Sequence, residues 1–159
     1  MTMLKFVFAM FLSFLPGFLG VIVAPMETGG NLWYNTLNHS VLTPAGWVFS
    51  VVWCVLYFLI GLALFFVMQT HTKSGGYSKT MAYWLFAINL VLNTVWSFVF
   101  FGAQMPKMAL LVLVTLIITV ILMAREFFRI SRVSFWLTLP YIVWLFFAFY
   151  LNGMIIYLN

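Results

Sequence analysis

Residues 47–68 read WVFSVVWCVLYFLIGLALFFVM, 22 consecutive positions without a charged side chain. Each residue of an α-helix adds about 1.5 Å, so about 20 apolar residues cross the bilayer's hydrocarbon core, which is about 30 Å thick. A helix satisfies its own backbone hydrogen bonds in lipid, whereas an isolated strand does not. This stretch therefore predicts a transmembrane helix.

Four further apolar runs accompany it, and together they predict an all-α bundle of five transmembrane helices. We expect one domain over residues 1–159, with spans at about residues 5–24, 45–68, 80–102, 107–128 and 133–157. The chain is 66% hydrophobic and 6% charged, whereas an average soluble domain is about 25% charged. A soluble fold of this size cannot bury so much apolar surface, so the excess faces membrane lipid.

The basic residues are distributed unequally between the two ends of the predicted bundle. Lys107 alone falls at one end, and the other end holds Lys5, Lys73, Lys79, Arg125, Arg129 and Arg132. By the positive-inside rule, this predicts a cytoplasmic N-terminus in a bacterial cytoplasmic membrane, with the long first loop and the C-terminus outside. The basic residues are scattered between apolar runs, so no nucleic-acid partner is predicted.

Residues with catalytic chemistry are scarce. Glu27 and Glu126 are the only acids, and His39 and His71 are the only histidines. All four lie in loops or at span ends, so no paired carboxylates, acid–base pair or metal cluster is predicted within a span. His39 and Glu27 share the first loop and leave a metal site open, although a solvated histidine is the simpler interpretation. We predict no catalytic residue, no resident cofactor and no metal site.

Aromatic and amide residues recur on single faces of three spans, at 100° per residue. The faces comprise Ser50, Trp53, Tyr57 and Gly61; Asn89, Asn93, Trp96 and Phe100; and Tyr141, Trp144, Ala148 and Asn152. An amide in hydrocarbon is costly without a partner, so these faces should point into the bundle and converge. A cavity lined by indoles and amides suits a flat, mostly apolar ligand. The alternative is that the amides only join helices and the aromatics only pack or anchor them.

Three motifs give the chain its resemblance to a known family. They are Trp33-Tyr34-x-x-Leu37 with Pro44-x-x-Trp47-Val48-Phe49-x-x-x-Trp53-x-x-x-Tyr57, then Asn89-x-x-x-Asn93-x-x-Trp96, and finally Pro140-Tyr141-x-x-Trp144-x-x-x-Ala148-x-x-Leu151-Asn152. In this the chain resembles, over essentially its whole length, the translocator protein family, also called tryptophan-rich sensory proteins or peripheral-type benzodiazepine receptors. The first loop departs from the family pattern because one proline of a pair is replaced by Ala45.

The resemblance implies a homodimeric five-helix protein whose pocket binds tetrapyrroles such as protoporphyrin IX and haem. Carried onto this chain, the pocket residues would be Trp47, Ser50, Trp53, Asn93, Trp144, Ala148 and Leu151, with Trp33 and Tyr34 in a lid. We expect Trp53 and Trp144 to stack on the two faces of the macrocycle and Asn93 to orient it. The porphyrin or haem would be a ligand of the protein, with no separate cofactor.

The leading hypothesis is therefore a tetrapyrrole-binding membrane receptor or sensor. Some family members are described as degrading porphyrin, so the resemblance leaves breakdown of the bound ligand open. A transporter of porphyrins or other small amphiphiles is the alternative, although the spans carry no charged residue for ion coupling. A scaffold subunit whose aromatics only pack helices is a third interpretation.

Overall fold

A computed structural model describes residues 2–23, 32–70 and 79–159. Within these ranges the helices are α1 (Thr2–Val21), α2 (Leu32–Thr36), α3 (Gly46–Gln69), α4 (Thr80–Ser97), α5 (Pro106–Ile130) and α6 (Arg132–Leu158), and a π-helical turn, Phe98–Gly102, extends α4. All except α2 are long and apolar enough to cross a membrane, α4 together with its π-helical turn. The prediction of an all-α protein with five spans is confirmed, and the helices begin and end within three residues of the expected bounds.

Local sequence explains how two of the helices begin. Pro106 is the first residue of α5, where a missing N–H has no helical partner to lose. The Ser131 side chain accepts a hydrogen bond from the backbone N–H of Ser134 at 3.3 Å and caps α6. Because Ser131 alone separates α5 from α6, these two helices form a tight antiparallel pair.

The five spans pack in a closed ring, in the order α1, α3, α6, α5, α4 and back to α1. The short helix α2 lies at one end of this ring, where Trp33 and Tyr34 contact Phe100. Lys5 of α1 and Lys79 before α4 both reach the backbone carbonyl of Met68, near the end of α3. These contacts define two ends of the bundle, and we call them the α2 end and the Met68 end.

A polar layer crosses the middle of the ring. The Tyr57 hydroxyl donates to Asn93 Oδ1 at 3.1 Å, Asn93 Nδ2 donates to the Tyr141 hydroxyl at 2.8 Å, and that hydroxyl donates to Asn89 Oδ1 at 2.9 Å. Both amides are buried, as is Asn152 nearer the α2 end. The prediction that the amides point into the bundle is confirmed, because only there do they find hydrogen-bond partners.

Candidate functional site

A cavity of about 220 Å³ lies inside the ring, between the polar layer and the α2 end. It is bounded by the last turns of α1, the first half of α3, the end of α4 with its π-helical turn, and the second half of α6. Its walls are formed by Pro16, Gly17, Gly20, Val21, Tyr34, Gly46, Phe49, Ser50, Trp53, Tyr57, Trp96, Ser97, Phe100, Phe101, Ala148, Leu151, Asn152 and Ile155. No acidic or basic side chain belongs to this described lining.

Two stacked aromatic pairs shape the cavity. Trp53 stacks on Tyr57 with ring centroids 5.3 Å apart, and Trp96 stacks on Phe100 at 5.2 Å with an interplanar angle of 17°. The Tyr57 hydroxyl is tied to Asn93, so this wall is fixed to the polar layer below it. The cavity therefore presents pre-oriented ring systems, which favour a flat apolar ligand.

The π-helical turn brings two consecutive aromatics to the cavity. The backbone N–H of Ala103 donates to the carbonyl of Phe98 at 2.8 Å, which is the wide hydrogen bond of a π-helix. Phe100 and Phe101 both line the cavity, with ring centroids 4.9 Å apart. Such turns are often found at functional sites. Apart from the aromatic cluster itself, no sequence pattern indicated this turn.

Hydrogen bonds through Asn152 hold the end of α4 and the start of α5 against α6. The Trp96 Nε1–H donates to Asn152 Oδ1 at 3.4 Å, and Asn152 Nδ2 donates to the Pro106 carbonyl at 3.0 Å. Asn152 therefore uses its oxygen and its nitrogen on neighbouring helices, while its side chain also borders the cavity. The edge of the cavity offers a ligand few polar groups, as expected for an orienting role.

Tyr34 covers the cavity at the α2 end. Its ring lies 5.7 Å from Phe101 and 4.5 Å from His39, and burial raises the pKa of its hydroxyl. His39 Nε2 donates to the Tyr34 backbone carbonyl at 3.0 Å, which places the ring proton on Nε2. The connection after α2 is anchored to α6 by Ser40, whose side chain bonds the Tyr150 hydroxyl at 2.9 Å.

Five of the nine predicted pocket residues lie around this cavity: Tyr34, Ser50, Trp53, Ala148 and Leu151. Trp33 stands behind the wall, with its ring centroid 5.8 Å from that of Phe100. Trp47, in the first turn of α3, is 70% exposed and faces outward, which is typical of an interfacial anchor. Neither of these two indoles lines the cavity.

Asn93 and Trp144 are positioned differently from the arrangement expected from the sequence. Asn93 lies beneath the cavity and holds the hydroxyls of Tyr57 and Tyr141, so it acts on the cavity through Tyr57. Trp144 lies in a separate apolar groove between α3 and α6, with its ring 5.9 Å from Phe49. Trp53 and Trp144 therefore do not face each other across one cavity, because helical phase fixes a Cβ direction and leaves the indole rotamer free.

The α1 wall is absent from the sequence-based site. A Cβ at Gly17 would come within 2.7 Å of the Tyr57 ring, and one at Gly20 within 3.4 Å of Ser97 Oγ. Small residues spaced three apart are the signal that could have indicated close approach of α1. Glu27, which shares the first loop with His39, lies outside the described residues. Within the described residues, no group of three or more metal-binding side chains occurs.

The fold and the cavity define the class: an integral membrane protein of five spanning helices with an aromatic chamber between four of them. The chain belongs to the TspO/MBR family, whose model matches residues 9–158. It is 37% identical to the tryptophan-rich protein TspO of Chlorobaculum tepidum, over 90% of this chain and 88% of that protein. It is 33% identical to the protein of the same name from Archaeoglobus fulgidus, over 100% of this chain and 99% of that protein. It is 31% identical to the translocator protein of Bos taurus, over 87% of this chain and 80% of that protein.

Proposed function

We propose that this protein is a membrane receptor that binds tetrapyrroles, such as protoporphyrin IX and haem, in the aromatic cavity. The observation that carries the proposal is the pair of ring stacks at Trp53 and Trp96, which border one cavity with few polar groups. A macrocycle inserted there would meet π-systems on its faces and the Ser50 and Asn152 side chains at its edge. The resemblance to the translocator proteins supports the same ligand class.

Binding of so large a ligand requires the cavity to widen. Its volume of about 220 Å³ is below the range of about 300–1,000 Å³ found for sites that hold drug-sized ligands. The wall best suited to move is α2, because it is five residues long and stands outside the ring of spans. We propose that Tyr34 acts as a lid that swings away from Phe101 when the ligand enters.

A receptor fits the cavity better than an ion-coupled transporter does. The described lining contains no carboxylate, amine, guanidinium or imidazole, so it holds none of the side chains that usually carry a coupling proton. Uptake of protoporphyrin IX into liposomes, driven by an ion gradient and dependent on the protein, would favour the transporter instead.

We further propose that the α2 end faces outward from a bacterial cytoplasmic membrane, with the N-terminus in the cytoplasm. Of the basic residues described, Lys107 alone stands at the α2 end, and the others cluster at the Met68 end. The test replaces the single cysteine, Cys54, with serine and introduces Val41→Cys, a position that is fully exposed after α2. Labelling of this cysteine by an impermeant reagent from the outside is expected, and labelling only after lysis would contradict the orientation.

The homodimer expected from the resemblance is also a proposal. It rests on the resemblance, because outward apolar side chains such as Leu111 and Val143 suit contact with membrane lipid as well as contact with a second copy. Light scattering in detergent is expected to give twice the 18.4 kDa protein mass, and a monomer mass would contradict the proposal.

The function is tested by titrating purified protein with protoporphyrin IX and following the absorbance of the porphyrin. Trp53→Leu removes an indole that lines the cavity, and Trp144→Leu is the matched control because its indole lies in the outer groove. An aromatic contact contributes about 0.5–1.5 kcal/mol beyond its buried area, so the dissociation constant should rise about two- to tenfold for Trp53→Leu. For Trp144→Leu we expect less than a twofold change.

Two results would contradict the proposal. If the wild-type protein shows no saturable change in porphyrin absorbance, the aromatics serve only to pack helices. If Trp144→Leu weakens binding as much as Trp53→Leu, while both variants keep the helical circular dichroism of the wild type, the ligand does not occupy this cavity.

A further inference from the structure

Two ammonium groups converge on a single backbone carbonyl at the Met68 end of the bundle, opposite the cavity. Lys5 Nζ lies 3.3 Å from the Met68 carbonyl oxygen, and Lys79 Nζ lies 3.4 Å from the same oxygen. The two nitrogens are therefore within about 7 Å of each other. Like charges this close repel, so an arrangement that holds them together calls for a compensating negative charge.

Helix packing fixes this pair in place. Lys5 lies in the first turns of α1, and the next residue, Phe6, packs edge-on against Phe65 of α3 with centroids 5.5 Å apart. Lys79 immediately precedes α4, and Met68 lies in the last turn of α3. Three helix ends therefore bring the two ammonium groups together.

No carboxylate balances the pair among the described residues. Glu126 is the acid described there, and it bonds Arg129 at 2.8 Å. The segment 71–78, which joins α3 to Lys79, contains no acidic residue in its sequence. The carbonyls at the end of α3 carry about half of a negative charge in total, which leaves most of the two positive charges unbalanced. Burial lowers the pKa of Lys79, and the positive charge of Lys5 lowers this pKa further.

The surroundings of the pair belong to a membrane surface. Leu4, next to Lys5, is 73% exposed, and Trp84, just over one turn after Lys79, is 64% exposed. Outward apolar side chains followed by an indole belt mark the depth at which a span meets the lipid head groups. In the proposed orientation the Met68 end is cytoplasmic, and basic pockets between spans on the cytoplasmic side of a membrane bind anionic head groups.

We propose that Lys5 and Lys79 form a binding site for a phosphate group, and that this phosphate belongs to the head group of an anionic phospholipid. The phosphate would bridge the two ammonium groups from the lipid side, while the Met68 carbonyl orients both of them from the protein side. The site is separate from the cavity and does not depend on the proposed tetrapyrrole ligand.

The test compares thermal unfolding in detergent with added phosphatidylglycerol or phosphatidylcholine, followed by tryptophan fluorescence. Phosphatidylglycerol is expected to raise the melting temperature of the wild type above the value in phosphatidylcholine. The double variant Lys5→Gln/Lys79→Gln should lose at least half of this increment. Lys107→Gln, at the α2 end, is the matched control that removes one positive charge and should keep the increment.

Three further outcomes decide the proposal. Retention of the increment by Lys5→Arg/Lys79→Arg would support a charge-based site, and it provides a test if the glutamine variant does not fold. If the glutamine variant melts lower in both lipids and keeps the full increment, the lysines only cap α3 and the proposal is overturned. An equal increment from inorganic phosphate at the same concentration would overturn the assignment to a lipid.

Discussion

Removing the Tyr141 hydroxyl by Tyr141→Phe should destabilise the bundle more than removing any other hydroxyl of the polar layer. Tyr141 is fully buried, and its hydroxyl accepts from Asn93 Nδ2 and donates to Asn89 Oδ1. Asn89 Nδ2 has no hydrogen-bond partner among the described residues, so the bond from Tyr141 to Asn89 Oδ1 is the one that pairs this side chain there. The variant would leave that amide buried with no partner.

The magnitude follows from these contacts. Hydrogen bonds between transmembrane helices contribute about 0.6 kcal/mol on average and up to about 1.7 kcal/mol, and Tyr141→Phe removes two. A buried polar group left unpaired costs about 1–3 kcal/mol, and Asn89 becomes such a group. With two average bonds and one unpaired amide, we expect the free energy of unfolding to fall by about 2–4 kcal/mol.

Tyr57→Phe is the matched control, because it removes one hydroxyl from the same layer and breaks one bond, at 3.1 Å. In that variant Asn93 Nδ2 keeps its bond to Tyr141 and only Asn93 Oδ1 loses its partner, so we expect a loss of about 1–2 kcal/mol, about half of that for Tyr141→Phe. Reversible unfolding in mixed detergent and dodecyl sulfate micelles, followed by circular dichroism, measures both. If Tyr141→Phe proves no more destabilising than Tyr57→Phe, the reasoning from the polar layer is refuted.

Two further predictions concern the walls and the lid. Gly17→Ala should lower the free energy of unfolding by about 1–3 kcal/mol in the same assay, because its Cβ would meet the Tyr57 ring at 2.7 Å. Gly153→Ala has open space around its Cβ, so it should leave the free energy of unfolding unchanged or raise it by up to about 1 kcal/mol. Equal effects of the two variants would contradict the close approach of α1. Because burial raises the pKa of Tyr34 above 10.0, its neutral form stabilises the docked lid, and this stabilisation should decrease as the pH rises above about 10. Proteolysis near α2 should accelerate there in the wild type and not in Tyr34→Phe, and the same acceleration in both would argue against Tyr34.

The spans could be predicted from sequence because apolar length alone decides whether a helix crosses a bilayer. The burial of Asn89 and Asn93 followed from the cost of placing an amide in lipid, which leaves the bundle interior as the only favourable position. Their partners could not be predicted, because hydrogen bonding to Tyr57 and Tyr141 depends on how neighbouring helices are rotated and shifted. The periodicity of polar residues along a helix predicts which face points inward, but it does not predict which residues of neighbouring helices lie at the same level.

Some parts of the site could not be predicted from the sequence, because the features that form them have no clear local sequence pattern. The π-helical turn that exposes both Phe100 and Phe101 to the cavity is set by hydrogen bonding at the end of α4. The α1 wall includes Gly17 and Gly20, whose role appears only when Tyr57 and Ser97 are seen beside them. Trp144 shares a face with Ala148, yet its ring turns toward Phe49, because side-chain rotamers are decided by packing.

We propose that one aromatic cavity between α1, α3, α4 and α6 receives the ligand. The most direct measurement is an experimental structure of the protein with protoporphyrin IX bound. We predict density for the macrocycle against Trp53 and Phe100, with Tyr34 displaced outward. Density in the groove beside Trp144, or at the lipid-facing surface with the cavity unchanged, would contradict the claim.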